Sequence, residues 1–238
     1  MTPDLIIFDC DGVLIDSEII ACAADAEALK SVGYPITTSE VVRRFAGVPT
    51  DEMYAAIERD LGRPLPPDLA AQTEARVMAR FHTELRPIEG VAEAVAQLER
   101  PYCVASSSKP SKLSLGLIEA GLFDLFYPHI FSAAQVTAGK PAPDLFLLAA
   151  EKMGAAARHC VVVEDSIAGV TAARRAGMRA LGFAGGAHCS QGHAAELRSA
   201  GAELVFDRLA LLPDIIADLS EPPQAGEVAS LSSASEEG

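Results

Sequence analysis

Polar residues stand at four separate places in this chain where an apolar run ends or a short loop begins. They are Asp9 and Asp11 after LIIF, Ser106 after YCVA, Lys140 in GKPAP, and Glu164 with Asp165 after CVVV. Carboxylates, a hydroxyl and an ammonium are the groups that together bind an oxygen-liking cation and a phosphoryl group. The residue types therefore suggest a site for phosphoryl transfer.

Each of these residues has an ordinary explanation when it is taken alone. An Asp or Ser after a strand often forms a turn, a loop lysine is usually solvated, and acids favour the first turn of a helix. These explanations weaken when the residues are considered together, because a parallel sheet brings the carboxyl ends of its strands to one edge. Burying the acids around Asp9 without a cation or a reaction to serve would also be costly.

A carboxylate can attack phosphorus only if its repulsion from the phosphate is cancelled, and Mg2+ does this while needing few protein ligands. Asp9 and Asp165, with a backbone carbonyl, could hold that ion. Lys140 would neutralise phosphate oxygens and orient the acids around it. The Ser106 hydroxyl and the Ser107 amide would donate hydrogen bonds to the phosphoryl group.

A nucleophilic aspartate would form an aspartyl-phosphate that water then hydrolyses. Asp11 lies two residues after Asp9, so its side chain can reach the far side of the phosphorus. There it would protonate the leaving alcohol and later deprotonate the attacking water.

The elements that position these residues alternate between helix and strand from Gly90 onward. Apolar runs predict strands at 5–8, 102–105, 129–131, 160–163, 179–183 and 204–206, most of them separated by helices. Such alternation predicts an α/β fold with a Rossmann-like, doubly wound parallel sheet and helices on both faces.

Residues 17–86 contain no strand pattern and predict a bundle of four helices, with Ser17 as the N-cap of the first. Thr37 and Glu40 have the spacing of a capping box for the second. We expect a small helical domain at 17–86, inserted after the first strand of an α/β core formed by 1–16 and 87–220. Residues 221–238, rich in Ser, Glu, Ala and Gly, are expected to form a disordered tail.

The 238 residues carry a formal net charge of −14, which argues against unaided binding to nucleic acid or a membrane surface. The five cysteines have no metal-ligand spacing and are expected to be reduced core thiols. The sequence does not open on a basic segment followed by an apolar one, and no run has membrane-spanning length. We therefore expect a cytoplasmic protein. Its oligomeric state is not readable from the sequence, which is compatible with a monomer.

Four motifs give the chain a resemblance to the haloacid dehalogenase (HAD) superfamily of phosphatases over nearly all of the sequence before the tail. They are the DxD signature in FDCDGVLIDSE, the serine in CVASSS, the lysine in GKPAPDLF and the acidic pair in VVVEDSIAG. The resemblance implies a HAD-like fold whose helical cap closes over the site, excludes water and supplies specificity. It also implies Mg2+ as the cofactor and a small-molecule phosphate ester as the substrate.

The resemblance further implies that Asp9 is the nucleophile, Asp11 the acid/base, and Ser106 and Lys140 the phosphate binders. The residues implied to hold Mg2+ are Asp9, Asp11 through its backbone carbonyl, Asp165 and, directly or nearby, Glu164.

Within the superfamily, members that cleave carbon–halogen bonds lack the second aspartate of the signature, so Asp11 favours phosphate esters. The segment RRFAGVPTDE is similar to the cap of the subgroup containing β-phosphoglucomutase and the hexose-phosphate and 6-phosphogluconate phosphatases. The mutases carry a cap arginine and a histidine where this chain has Thr50 and Ala21. We therefore predict a phosphatase for a phosphorylated sugar or sugar acid, with Thr50 among the substrate-binding residues.

Three alternatives stay open. A phosphomutase would need Arg43, Arg44 or Arg76 to replace the missing cap arginine. A non-catalytic phospho-accepting module of the receiver type would be much shorter and would lack the helical insert. A haloacid dehalogenase would leave Asp11 without a role.

Overall fold

An all-parallel sheet of six strands forms the core of the protein, in the order β3-β2-β1-β4-β5-β6. The computed structural model describes residues 3–45 and 47–219. The strands are β1 Leu5–Phe8, β2 Tyr102–Ser106, β3 Ile130–Ser132, β4 Cys160–Glu164, β5 Arg179–Phe183 and β6 Leu204–Phe206. The predicted α/β fold with a doubly wound parallel sheet is confirmed.

The continuous apolar run of β1 follows from its place inside the sheet. All four residues of LIIF are fully buried. Ile6 and Phe8 pack into the apolar layer on one face of the sheet, and Leu5 and Ile7 pack into the layer on the other. Because side chains alternate along a strand, a parallel sheet covered on both faces needs apolar residues at every position.

Helices cover both faces of the sheet and fill the segment after β1. They are α1 Ser17–Ser31, α2 Thr38–Phe45, α3 Thr50–Leu61, α4 Leu69–Glu84, α5 Val91–Ala96, α6 Pro110–Glu119, α7 Phe123–Phe126, α8 Asp144–Lys152, α9 Ile167–Arg175, α10 His193–Ala200 and α11 Leu212–Asp218. Among residues 3–45 and 47–219, no helix is long and apolar enough to cross a membrane.

The four helices α1 to α4 share an apolar cluster in addition to the two layers of the sheet, although α1 and α4 also contribute residues to the layer that contains Ile6 and Phe8. Its buried residues are Cys22, Ala26, Ala28, Leu29, Ile36, Val41, Met53, Ile57, Leu65 and Leu69. The capping box predicted for α2 forms: the Thr37 amide and hydroxyl donate to the Glu40 carboxylate at 2.8 and 2.7 Å. The packing of α1 to α4 against one another is therefore compatible with the helical insert predicted at 17–86.

The two ends of this helical segment lie side by side. The Asp16 amide donates to the Arg86 carbonyl at 3.0 Å, and Ile15 forms an antiparallel bridge with Pro87. The domain boundaries at 16/17 and 86/87 are compatible with this pairing and stay a prediction. The expected tail at 221–238 lies outside the described residues.

Two local predictions need correction. Ser17 does not cap α1: the helix follows Asp16, and the Ser17 hydroxyl donates to Asp11 instead. All five cysteines are free, as expected, but Cys189 is partly exposed in a loop while the other four are buried. Core burial was therefore the wrong expectation for Cys189.

Adjacent residues of α6 provide a matched test of the packing. Leu117 is fully buried in the apolar layer that contains Ile6 and Phe8 of β1, whereas Ile118 is 56% exposed. We expect Leu117→Ala to lower the free energy of unfolding by about 2 to 5 kcal/mol, because it leaves a cavity in the core. Ile118→Ala should change it by less than about 1 kcal/mol. Denaturant unfolding of both variants measures the difference, and equal losses would contradict the packing described for α6.

Candidate active site

The predicted site residues converge where the direction of strand order reverses. Asp9 follows β1, Ser106 ends β2 and Glu164 ends β4, and these three strands are neighbours. The Asp9 amide donates to the Val163 carbonyl at 2.9 Å, which continues the ladder between β1 and β4. Ligands of doubly wound sheets bind in the crevice at such a switch point.

The ammonium of Lys140 joins the groups at this point. Its Nζ lies 2.5 Å from Asp9 Oδ1, 2.6 Å from Glu164 Oε1 and 2.9 Å from the Ala105 carbonyl oxygen. Only 4% of the side chain is exposed, and it faces the Phe146 ring at 4.8 Å from the centroid. Burial alone would lower the pKa of Lys140, but the Asp9 and Glu164 carboxylates outweigh it and raise the pKa above its ordinary value. The lysine is therefore held in its charged form.

Glu164 is fixed from both of its oxygens. Oε1 accepts from Lys140, and Oε2 accepts from the Ser166 amide at 3.0 Å and the Ser166 hydroxyl at 2.9 Å. The same hydroxyl accepts from the Gly169 amide and caps α9. A Cβ at Gly169 would lie 1.8 Å from the Glu164 carboxyl carbon, so only glycine fits there.

Asp9, Glu164 and Asp165 form a buried cluster in which one carboxylate oxygen from each residue lies within 4.8 Å of the others. Burial raises the pKa of Asp9 well above its ordinary value, the nearby acids add to this, and Lys140 opposes it. A single ammonium thus faces several carboxylates, which is the environment in which a divalent cation binds favourably. Oxygen-only donors favour a hard cation over a soft one.

Asp165 also meets residues from two loops. A Cβ at Gly12, which has φ +83°, would lie 1.9 Å from Asp165 Oδ2, so the loop after β1 passes directly over this carboxylate. His188 Nε2 lies 2.9 Å from the same oxygen. Burial would lower the pKa of His188, but its hydrogen bond to Asp165 raises it to about 11.

Asp11 lies in a different environment from Asp9, although only one residue separates them. Its carboxylate accepts from the hydroxyls of Ser17 at 2.6 Å, Ser108 at 2.7 Å and Ser106 at 3.2 Å. Lys112 Nζ lies 3.2 Å away. Burial alone would raise the pKa of Asp11, but the Lys112 charge and these hydrogen bonds lower it to about 2. Asp11 is therefore ionised in the ligand-free site.

The structure brings together most of the residues predicted from the sequence, namely Asp9, Asp11, Ser106, Lys140, Glu164 and Asp165. Ser107 is exposed in the turn after β2. Thr50 is exposed at the start of α3 and makes none of the side-chain hydrogen bonds found among residues 3–45 and 47–219. Its predicted role in binding substrate has no contact in support of it.

Sequence reasoning missed five residues that contact the side chains of the predicted acids, Ser166 among them, and a sixth close to them. Ser17 and Ser108 lie inside motifs already recognised, so their side chains could have been considered. Lys112 and His188 lie outside every motif. Glu18, in the first turn of α1, is surrounded by these groups, and burial raises its pKa to about 7 against the attraction of Lys112.

A cleft between the helical segment and the sheet opens beside this site. It is lined by Ile19, Thr38, Ser39, Val42 and Arg43 from α1 and α2, and by the loop 187–191. A Cβ at Gly47 would lie 3.8 Å from Ser166 Cβ, so the loop after α2 reaches the acids at the end of β4. The helical segment therefore covers one side of the site.

This fold and this site are those of an α/β enzyme with an acidic centre at the sheet's switch point. The model of the haloacid dehalogenase-like hydrolase family matches residues 3–177, and the chain belongs to that family. The predicted family and the predicted class, a hydrolase, are thereby confirmed.

Individual relatives cover most of the chain. It is 30% identical over 186 residues to a 6-phosphogluconate phosphatase of Escherichia coli (strain K12), covering 78% of this chain and 84% of that protein. It is 42% identical, with a TM-score of 0.86, to a haloacid dehalogenase-like protein of unknown function from Agrobacterium tumefaciens str. C58, covering 92% and 99% of the two chains. A HAD family hydrolase from Deinococcus radiodurans R1 with bound phosphate and sodium is 32% identical, with a TM-score of 0.78, and covers 92% and 97%.

Gly169 provides a test of how tightly Glu164 is held. Alanine usually stabilises a helix relative to glycine by up to about 1 kcal/mol. Here we expect Gly169→Ala to lower the melting temperature by roughly 5 °C or more, because its methyl group would overlap the Glu164 carboxylate.

The matched control is Gly139→Ala, beside Lys140, where a Cβ would lie 3.9 Å from Ala133, an ordinary contact. Thermal unfolding followed by circular dichroism compares the two variants. A melting temperature unchanged by Gly169→Ala would contradict the position of the Glu164 side chain.

Proposed function

We propose that this protein is a cytoplasmic, Mg2+-dependent phosphatase that hydrolyses a small phosphorylated sugar or sugar acid through an aspartyl-phosphate on Asp9. The observation that carries the proposal is the pair Asp9 and Asp11, two carboxylates close in sequence but held by opposite electrostatic environments. Their environments suit a nucleophile and an acid/base once a cation beside Asp9 lowers its pKa and a phosphoryl group beside Asp11 raises its pKa. Similarity to a 6-phosphogluconate phosphatase and to a hydrolase with bound phosphate supports a phosphate ester as the partner.

The donor set fits Mg2+, which prefers oxygen ligands and needs only one or two carboxylates. We propose that Asp9, Asp165 and the Asp11 carbonyl hold it. Glu164 would stay nearby without direct ligation, because both of its oxygens already accept hydrogen bonds. When bound, the cation would cancel the repulsion between the attacking carboxylate and the phosphate.

The main role of Lys140 would be to position the nucleophile Asp9 rather than to hydrogen-bond the phosphate. Its three donors are already used by Asp9, Glu164 and the Ala105 carbonyl. It would therefore orient Asp9 for attack and reach the phosphate oxygens through its charge. The Ser106 hydroxyl would turn from Asp11 to the phosphoryl group, which the Ser107 amide would also bind.

Asp11 would act as the acid and then as the base. Its pKa of about 2 applies to the ligand-free site, where the carboxylate faces Lys112 and three hydroxyls. A phosphoryl group beside Asp11 would raise this pKa, because a like charge disfavours the ionised form. Asp11 could then carry the proton to the leaving alcohol and take one from the water that cleaves the aspartyl-phosphate.

Arg43 bears on the substrate class. It lines the cleft beside the site, whereas Arg44 is engaged by Tyr34 and Asp60. A cation at this position favours a substrate with a second anionic group. That group is a carboxylate for a sugar acid, or a second phosphate for the alternative reaction, a sugar phosphomutase.

The test is phosphate release from a panel of sugar and sugar-acid phosphates, with Mg2+ and with a chelator. We expect chelator-sensitive release from a few related substrates. Asp9→Asn should fold normally and lose more than about 1,000-fold in turnover, because an amide is not a nucleophile. The surface substitution Asp51→Asn on α3 is the control and should keep full activity. Substantial Mg2+-dependent release by Asp9→Asn, or interconversion of glucose 1-phosphate and glucose 6-phosphate without release, would contradict the proposal.

The role of Asp11 is tested by changing the leaving group. Asp11→Asn should slow hydrolysis of a sugar phosphate much more than that of p-nitrophenyl phosphate, because nitrophenolate leaves without needing a proton. Single-turnover measurements separate this first step from the later attack by water. Equal losses with both substrates in the first step would show that Asp11 is not the acid.

A further inference from the structure

A second cluster of metal-binding side chains lies beside the carboxylates, in residues that the proposed hydrolysis does not use. His188, Cys189 and His193 come from the loop between β5 and α10 and from the first residue of α10. One ligand atom from each of them lies within 4.8 Å of the others. Sequence spacing gave no sign of this cluster, because cysteine pairs are the usual signal.

The spacing of these atoms is close to that of a tetrahedral zinc site. Cys189 Sγ lies 3.6 Å from His188 Nε2. With Zn–S near 2.3 Å and Zn–N near 2.0 to 2.1 Å, sulfur and nitrogen ligands stand about 3.5 Å apart around Zn2+. The two imidazole rings are 5.7 Å apart and nearly perpendicular, at 79°. The distance between Cys189 Sγ and His188 Nε2 is therefore close to the distance between two ligands of one Zn2+.

The surroundings of the histidines resemble those of metal ligands. His188 Nε2 lies 2.9 Å from the Asp165 carboxylate, and His193 Nε2 lies 2.6 Å from the Asp165 carbonyl oxygen. Metal-bound histidines commonly use their second ring nitrogen for such a contact, as His193 does here. His188 is buried, and its Nδ1 has no hydrogen-bond partner among residues 3–45 and 47–219. The nitrogen beside Cys189 is Nε2, so a metal bound there would replace the contact of Nε2 with the Asp165 carboxylate.

Cys189 has the exposure and the chemistry of a ligand. Together with His188 it lines the cleft that opens between α1, α2 and the loop 187–191, so an ion can reach it from solvent. The thiolate is the form that binds metals, and binding would release the thiol proton.

We propose that His188, Cys189 and His193 form a site for Zn2+, separate from the carboxylates of Asp9 and Asp165. Thiolate and imidazole donors select Zn2+, whereas the hard Mg2+ prefers oxygen. Three protein ligands leave a fourth position for water. The site does not depend on the proposed phosphatase reaction, since none of its three side chains takes part in that reaction.

The first experiment uses Co2+ as a spectroscopic stand-in for Zn2+ on the full chain with excess Mg2+. We expect one equivalent of Co2+ to give the intense visible bands of a tetrahedral site and a thiolate-to-metal charge-transfer band. Zn2+ should abolish both. Cys189→Ser should remove the charge-transfer band and weaken Zn2+ binding by more than about tenfold in competition with a chromophoric chelator. His193→Gln should also weaken binding, and Cys22→Ala, outside the cluster, should not.

The second experiment needs no variant. In the native protein Cys189 is the partly exposed thiol, so iodoacetamide should modify it ahead of the four buried cysteines. Zn2+ should slow this reaction by at least about tenfold, whereas Mg2+ should not, and peptide mass spectrometry identifies the residue. The proposal fails if Co2+ shows no thiolate band and Cys189 reacts at the same rate with Zn2+. It also fails if Zn2+ binding is lost in Asp9→Asn but unaffected in Cys189→Ser.

Discussion

The buried ammonium of Lys140 is the constraint on which the rest of the site depends. Removing a charge from water costs several kcal/mol unless partners of opposite charge surround it. The partners here, Asp9 and Glu164, come from the ends of two neighbouring strands, and the exposed fractions of the three side chains are 4%, 9% and 1%. The β1–β4 register, the loop before α8 and the glycine at 169 must all be in place for these groups to meet.

The same arrangement leaves the site with unbalanced charge. Lys140 offsets only part of the charge of Asp9 and Glu164, and Asp165 lies beside His188, whereas the carboxylate of Asp11 lies beside Lys112. Two carboxylates from one short turn are thus held in opposite ways. The pKa of Asp9 is raised and that of Asp11 is lowered, so only Asp11 is stabilised as an anion. A cation near Asp9 would lower the pKa of Asp9. A divalent ion would therefore complete the electrostatics of the site as well as assist chemistry.

The framework was predictable from local sequence. A short apolar run between helices is typical of a strand in a parallel sheet covered on both faces, and the carboxyl ends of the strands in such a sheet lie at one edge. These two rules led from LIIF to Asp9 and from CVVV to Glu164 and Asp165. The capping box of Thr37 was predictable for the same reason, since it depends on neighbours three residues apart.

Contacts made across the fold were not predictable. The Ser17 hydroxyl could accept from an amide of its own helix or donate to Asp11, and only the path of the chain decides between the two. Lys112 lies in the first turn of α6, and a lysine on a helix is usually solvated. Cys189 and His188 lie in a loop without periodicity, and the position of that loop against Asp165 follows from the sheet. Thr50 is a different case, because its role was predicted from a family position rather than from a contact, and that role stays a prediction.

The central place of β1 has a consequence for the synthesis of the protein. β1 is synthesised before the five other strands, and its partner strands β2 and β4 begin only at Tyr102 and Cys160. The LIIF segment therefore stays without either partner strand until long after its own synthesis, which is when apolar strands aggregate. The completed site then becomes a late product of folding, available only after β4 has emerged.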